Sequence, residues 1–536
     1  MSHNPTQRAD RSRGDELRAA AGDGAQPMSS EEPTGSPRPG PRDGGSGPDS
    51  RRWLVLAVVV AAQFMVVLDV AIVNVALPSI KSDLSFSQES LQWVITAYAI
   101  TFGGVLLLGG RLADLLGRRR LFMAGLVLFT ASSLLDGLAW SEGSLIGFRS
   151  LQGLGAALLS PAALSILTTT FREGRERNVA LGIWGAASGS GGAVGVLLGG
   201  ALTSALSWSW IFYINVPAGI LVLAVSPWLL KESWADLAHR HFDVGGAVSI
   251  TGGLMILVYA MTRATQHGWG AASTVGLLAA SAALILAFLV IETRSKAPLM
   301  PMRIFRLRTL TASNVSGLLL GSVIFSQFFL LTLYMQQVLH YSALKTGVAY
   351  IALTLTIISV SAASQALVTR LGIRRILPVG LALSAAALIL FARLPVDGQY
   401  FADLLPGLLL SGVGLALAFV PVSIGGLTGV READAGVASG LINTSQQIGG
   451  AIGVAVATTV ATSFTGHYLT AHHGTSPLSG AALTHGFEIA FYVLAALAAL
   501  GAVLAALMVE SKPAAPEVRA VEEDRRDDAL VAAARA

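Results

Sequence analysis

The amino-acid sequence predicts an all-α polytopic membrane protein with fourteen transmembrane helices. Three observations carry this. Of 536 residues, 53% are hydrophobic and 13% charged, about half the charge of a soluble domain, and the mean hydropathy is +0.64. A helix of about 20 apolar residues crosses a bilayer. Fourteen runs fit that length: 53–76, 90–110, 121–140, 144–168, 179–202, 210–230, 243–263, 272–292, 311–334, 347–368, 377–394, 402–425, 437–463 and 486–509. The connections between them alternate in charge. Even-numbered connections carry Arg111, Arg118, Arg119 and Arg120; Arg172, Arg175 and Arg177; Lys231 and Arg240; Arg294, Lys296, Arg303, Arg306 and Arg308; Arg370, Arg374 and Arg375; and Arg431. Odd-numbered ones carry only Lys81, Arg263, Lys345 and Arg393. Basic loops stay inside, so both termini are expected in the cytoplasm, and one missed span would have inverted every later loop.

Residues 1–50 are rich in Gly, Pro, Ser, Asp and Arg and hold no apolar run, which predicts a disordered cytoplasmic tail. Residues 510–536 form a second such tail. The Arg51-Arg52 pair reads as the cytoplasmic flank of the first span. The chain has no cysteine, which excludes disulfides and thiolate metal sites. No lysine follows the glycine-rich loop of an ATP site, so energy comes from a gradient or from another chain. No cofactor and no nucleic-acid partner are expected. The bilayer, protons and a small amphipathic molecule are the expected partners, with a monomer as the expected state.

The sequence repeats internally. Gly191-Gly192-Ala193-Val194-Gly195-Val196 in span 5 returns as Gly449-Gly450-Ala451-Ile452-Gly453-Val454 in span 13, displaced by 258 residues. Gly117-Arg118-Arg119-Arg120 after span 2 returns as Gly372-Ile373-Arg374-Arg375 after span 10, displaced by 255. The step is eight spans, whereas a six-span half is the usual transporter unit. The simplest arrangement is two six-helix halves, 53–230 and 311–509, with two inserted central helices at 243–292.

Asp69 sits deep in the first run, in Leu68-Asp69-Val70-Ala71-Ile72-Val73-Asn74-Val75-Ala76-Leu77-Pro78. A carboxylate at bilayer depth costs roughly 2.5–3.5 kcal/mol, a cost that folding a membrane helix does not require. A functional role is the default reading, and an acid held by neighbouring backbone groups is the alternative. Asp69 reads as the only acid well inside a span, with Asp136 and Glu488 near span ends. Arg149, in Arg149-Ser150-Leu151-Gln152-Gly153, is a permanent cation at similar depth. Burial favours the neutral form of Asp69 and a nearby cation its charged form, so the pair suits proton uptake and release. A structural salt bridge is the alternative.

Gly110-Arg111-Leu112-Ala113-Asp114-Leu115-Leu116-Gly117-Arg118-Arg119-Arg120 closes span 2. Its glycines Gly110 and Gly117 allow close helix approach. Asp114 can pair with Arg118 or Arg119 or meet a helix N-terminus, forming a latch that holds one conformation. An ordinary basic loop is the alternative. In span 5, Gly182, Gly191, Gly195, Gly199 and Gly200 read as a smooth face for tight packing. Polar and aromatic residues that can line a central cavity are Gln63, Asn74, Gln92, Trp93, Tyr98, Trp184, Gln327, Asn443, Gln446 and Gln447. Helix–helix hydrogen bonding is the competing role for each. His467, His472 and His473 crowd the last odd-numbered loop and read as solvated, with a metal site as the alternative.

The loop after span 2 resembles the signature loop of the major facilitator superfamily, with Leu115 where a basic residue is usual. The Arg149 run resembles the Arg-x-x-Gln-Gly motif of its proton-coupled members, which implies that Arg149 tunes a nearby acid. The span 5 glycines resemble the antiporter motif of its exporters, with Val196 where proline is usual. Trp208-Ser209-Trp210-Ile211-Phe212-Tyr213-Ile214-Asn215-Val216-Pro217, the Asp69 run and Ala438-Ser439-Gly440-Leu441-Ile442-Asn443-Thr444 resemble the fourteen-span drug:proton antiporters. That resemblance, over about residues 53–510, implies the major facilitator fold and a proton-coupled antiporter that exports amphipathic drugs or antibiotics across the cytoplasmic membrane. An importer or uniporter of a small solute, or a non-transporting membrane sensor, is the alternative. An enzyme is not expected, because no His, Asp or Ser cluster converges at one depth.

Overall fold

The computed structural model describes residues 50–86, 90–233, 243–295, 298–431, 434–472 and 479–510. The expected tails lie outside them apart from Ser50 and Glu510, as do Arg240, Lys296 and His473. Among the described residues fourteen helices are long and apolar enough to cross a membrane. They are α1 Arg51–Asp83, α2 Trp93–Leu116, α3 Arg118–Gly137, α4 Glu142–Thr170, α5 Arg175–Ala205, α6 Trp210–Leu229 and α7 Val244–His267. The series continues with α8 Ala272–Arg294, α9 Arg308–Val338, α10 Leu344–Leu371, α11 Ile373–Phe391, α12 Tyr400–Gly425, α13 Ala435–Ala471 and α14 Gly480–Met508.

Each expected run contains or overlaps one helix, and many helices outrun their apolar core. α9 extends through Gln336 and Gln337 in a final π turn, Tyr334–Val338, and α12 opens on another, Tyr400–Leu404. An apolar-length rule sees only the lipid-crossing part, while backbone hydrogen bonding continues into the interface. Breaks fall where the local chemistry asks for them. Gly117, at φ 106°, separates α2 from α3, a region closed to most L residues. α6 is interrupted at Ile214, between Trp210–Tyr213 and Asn215–Leu229.

The helices pack in two sets that repeat the same neighbours eight spans apart. In the first set α1 packs on α4, α5 and α6, and α4 on α2 and α3, with α3 also against α6. In the second, α9 packs on α12, α13 and α14, and α12 on α10 and α11, with α11 also against α14. The sets meet through two related pairs of contacts, α2 and α4 with α13, and α10 and α12 with α5. Small residues permit the close seams. A side-chain carbon at Gly195 would lie 2.8 Å from the Leu68 carbonyl oxygen of α1, and one at Gly453 2.5 Å from the Ser322 Cα of α9. Helices without a hydrophobic drive between them associate by such packing.

The pair α7–α8 is central in the sequence but lateral in space. α7 lies against α2 and α13, while α8 packs chiefly on α7 and leaves much of its apolar surface outward. Trp269, in the connection between them, donates its indole N–H to Thr459 Oγ1 of α13 at 2.9 Å.

Candidate functional site

Asp69 and Arg149 meet. α1 carries the acid and α4 the base, and the contact between these helices brings Arg149 Nη1 to 2.7 Å from Asp69 Oδ2. Both side chains are sealed from solvent, at 0% and 1% exposure. Two neutral donors complete the acid: Gln152 Nε2 at 2.8 Å and Asn215 Nδ2 at 3.2 Å, both on Oδ1. Arg149 is satisfied in turn, with Nε donating to the Val94 carbonyl at 3.1 Å and Nη1 also to Gln152 Oε1. The Tyr98 ring faces its guanidinium at 4.4 Å and the Phe212 ring at 5.6 Å. Ion pairs in a dry interior persist only when extra hydrogen bonds offset the desolvation of both charges, and losing one partner costs about 3–5 kcal/mol. Gln152 and Asn215 supply those bonds here.

The aromatic segment that opens α6 turns inward as well as toward the interface. Trp210 is exposed, but Phe212 and Asn215 are buried against the pair. Asn215 Nδ2 also donates to Ser133 Oγ of α3 at 3.1 Å, and Ser133 Oγ donates to the Phe212 carbonyl at 2.9 Å. The signal was an asparagine at the start of an otherwise apolar helix.

Asp136 lies at the end of α3, as expected, but it is not exposed there. It is fully buried, and neither of its carboxylate oxygens has a hydrogen-bond partner. The physical reason is cover from α6: Tyr213 seats its ring over Gly137 and donates its hydroxyl to the Gly137 carbonyl at 2.7 Å. The end of α3 is thereby taken out of the interface.

A cavity of about 490 Å³ lies between the two sets. Its wall comes from α1 (Gln63 to Leu77), α2, α5, α9 (Gly321 to Gln336), α12 and α13. No charged side chain lines it. Polar groups come from Gln63, Asn74, Asn443, Gln446 and Gln447, joined by Ser188, Thr332 and Gln336, which the sequence reading missed. It also missed Phe102, Phe325, Phe328, Phe329 and Phe419, which give the wall its flat apolar area. Four expected lining residues are elsewhere. Tyr98 is buried over Arg149, and Trp184 is buried in the core. Trp93 packs on Tyr259 of α7, with ring centres 5.6 Å apart. Gln327 is buried in a bond with Ser411 of α12 at 2.7 Å. The side chain of Gln92 lies outside the described residues. Asp69 reaches the cavity only through its neighbours on α1, since it faces α4 while Val70 and Ala71 line the wall.

On the Arg-rich side of the cavity the sets are tied together. Gly110 lies against the backbone of Gly436 and Gly440, too close for a side chain. Asp114, fully buried, accepts from Arg118 Nη2 at 3.2 Å and from the Gly436 and Val437 amides at 3.1 Å each. Those amides begin α13, so the carboxylate sits on the positive end of that helix. Both pairings open to Asp114 are therefore made at once, and the helix N-terminus belongs to the opposite set. Arg119 is tied through its backbone amide, which donates to Glu232 Oε1 at 3.1 Å, and Arg120 pairs with the same carboxylate at 3.7 Å. Glu232, just past α6, had no signal beyond its charge.

The span 5 glycines do not form one face. Gly191, Gly195 and Gly199 pack on α1, whereas Gly182 packs on Gln365 of α10. Gly200 is buried and its carbonyl accepts from Ser204 Oγ at 2.6 Å. Nine residues separate Gly182 from Gly191, and at about 100° per residue that is half a turn out of register. Among the described residues no group of acidic, His or Cys side chains could hold a metal ion. His472 stacks on Tyr468, with ring centres 4.1 Å apart.

The chain is similar to known proteins. Residues 59–454 match the Major Facilitator Superfamily. The chain is 41% identical to the puromycin resistance protein pur8 of Streptomyces alboniger, over 88% of this chain and 94% of that one. It is 39% identical to the cephamycin export protein CmcT of Amycolatopsis lactamdurans, over 85% and 95%. The crystal structure of the human organic anion transporter MFSD10 (TETRAN) superposes with a TM-score of 0.60 at 17% identity, covering 86% of this chain and all of that one, and so shares the fold. With a family match over most of its membrane region and relatives aligned almost end to end, the chain belongs to the major facilitator superfamily.

Proposed function

We propose that this chain exports amphipathic organic compounds, drugs or antibiotics, across the cytoplasmic membrane in exchange for protons. The buried Asp69–Arg149 pair is the observation that carries the proton part. It places a titratable acid and a fixed counter-charge at membrane depth, one helix face away from the cavity. The cavity suits an amphipathic guest: aromatic faces for the apolar body, amides for its polar groups, and no fixed charge. Relatives named for puromycin resistance and for cephamycin export support drug efflux as the direction and class.

In this reading the Arg-rich ends face the cytoplasm, as do both termini. Asp69 takes a proton from outside and releases it inside, and drug binding alternates with protonation. Asp114 and Arg118 hold the cytoplasmic side shut between steps. The chain acts as a single copy without a cofactor, drawing energy from the proton gradient.

The test is expression in a strain lacking its own pumps, with a compound panel that includes puromycin and a cephamycin. Raised resistance that a protonophore abolishes is the expected result. Resistance that survives collapse of the gradient, or drug accumulation in place of efflux, contradicts the reading.

A further inference from the structure

Asp136 is the second acid beside Arg149. It lies fully buried one residue from the end of α3, and both carboxylate oxygens lack a donor. The contrast with Asp69, which accepts from three side chains, is complete. Asp136 lies within electrostatic reach of Arg149 of α4 and Asp69 of α1, and Tyr98 of α2 feels it in turn. From α6, Tyr213 donates to the Gly137 backbone and not to the carboxylate. Two acids and one guanidinium leave one negative charge in excess in a site closed to solvent. A carboxylate there, without donors and near the negative end of its own helix, is disfavoured on both counts. One bound proton removes the excess.

We propose that Asp136 is a second proton-binding site, which shares one proton with Asp69 around Arg149 and is loaded from the membrane face opposite the Arg-rich ends. This rests on the proton-coupled reading above and extends it. α3 starts at the Arg-rich Arg118 and ends at Gly137, so Asp136 lies at the end of α3 away from the Arg-rich side. Ser133, one turn back on α3, is bonded to Asn215, which is bonded to Asp69. Polar side chains therefore run from Asp69 to within one turn of Asp136, which itself makes no hydrogen bond to them. In the described arrangement the proton resides on Asp136, and Arg149 pairs with the Asp69 carboxylate. When the proton passes from the Asp136 carboxyl to the Asp69 carboxylate, Asp136 becomes the anion and Arg149 exchanges partner. Charge and protons balance in both states, and the excess charge is never exposed to the bilayer.

The direct test is infrared spectroscopy of the purified full chain in lipid, with aspartate labelled in its side-chain carboxyl carbon. The wild type shows the carbonyl stretch of a protonated buried carboxylic acid at neutral pH. Asp136→Asn removes it, and Asp69→Asn removes it as well, since either change leaves a single acid to balance Arg149. A band that ignores Asp136→Asn, or no band in the wild type, overturns the proposal. Should Asp136→Asn fail to fold by size-exclusion chromatography, Asp136→Glu with glutamate labelled decides: the band moves to the glutamate label, and its absence is again refutation. In everted membrane vesicles, puromycin uptake driven by an imposed pH gradient falls about tenfold in Asp136→Asn, a coupling loss of ordinary size, with a shifted pH profile that a merely structural lesion does not produce. The two readings fail separately. A wild type that moves neither puromycin nor any panel drug, yet shows the Asp136 band, refutes proton-driven export alone. A proton-driven exporter whose band and pH profile ignore Asp136→Asn refutes this inference alone.

Discussion

Between α1 and α4 lies a buried ion pair; between α9 and α12, the same helix contact eight spans later, lies a neutral one. Arg149 and Asp69 make the first at 2.7 Å. Gln327 and Ser411 make the second, with bonds of 2.7 and 3.0 Å between amide and hydroxyl. A second contrast follows the same symmetry. The contact of α2 with α13 is held by fully buried Asp114 on two backbone amides and Arg118. Its counterpart, α10 with α5, has at the corresponding place an exposed bond from Asn178 to Thr369 at 3.2 Å. Both sets need a polar tie at these points, since a buried hydrogen bond orients helices that hydrophobicity cannot hold together in lipid. At these two points only the first set buries charge. In the proposed cycle the proton chemistry falls to α1–α6, while both sets line the cavity that would hold the guest.

The largest effect should come at the charged pair. Asp69→Asn should lower gradient-driven efflux by about a hundredfold or more, as loss of a positioned proton carrier does. Gln327→Leu should stay within about threefold, because a neutral bond contributes only about 1 kcal/mol net. Vesicle uptake assays on both variants check this, and equal losses would break the comparison. Next comes the latch. Asp114→Asn keeps the shape but loses the charge on the α13 amides, and turnover should slow about tenfold, since charge-assisted bonds are about twice as strong as neutral ones. Drug affinity, read by fluorescence quenching on the purified protein, should not change, and Thr369→Val should leave both quantities near wild type. A loss of affinity with normal turnover would move Asp114 from conformational exchange to binding.

The glycine seams sharpen the comparison from the other side, because there the two sets are alike. Gly195→Ala and Gly453→Ala should each destabilise by about 1–3 kcal/mol through overpacking, with similar falls in thermal midpoint. A large effect at one seam alone would show that the symmetry of packing is as broken as the symmetry of charge. The smallest effect is expected outside both sets. A chain beginning near Asp49, which keeps Arg51 and Arg52, should transport as the full chain does, since a polar tail without an apolar run has nothing to pack. Normal insertion without resistance would give the tail a role.

Much of the fold was legible because lipid imposes simple rules. Span length follows from bilayer thickness, and the unbroken arginine alternation protects the count. The meeting of Asp69 with Arg149 followed from two charges that each needed a partner at similar depth. What stayed hidden depends on which helix covers which. Asp136 looked like an interface acid until Tyr213 was seen to cap the end of α3. Nothing in the sequence separates Phe325, Phe328 and Phe329 from lipid-facing residues, and only the neighbours of α9 make them cavity wall. The lateral seat of α7 and α8 has no local signature, because a helix inserted between two halves in sequence can lie on any side of them. The split of the span 5 glycines was computable from helical register alone, as half a turn separates Gly182 from Gly191.

In the proposed cycle Asp69 carries the proton; the competing view makes it a counter-charge for cationic drugs. The measurement that separates them is proton-coupled efflux by Asp69→Asn of one neutral and one cationic compound, both exported by the wild type, with substrate and proton movement followed in the same vesicles. The account predicts that the variant folds and binds but loses gradient-driven movement of both compounds. Retained proton-coupled export of the neutral compound, with loss of the cationic one alone, would contradict it.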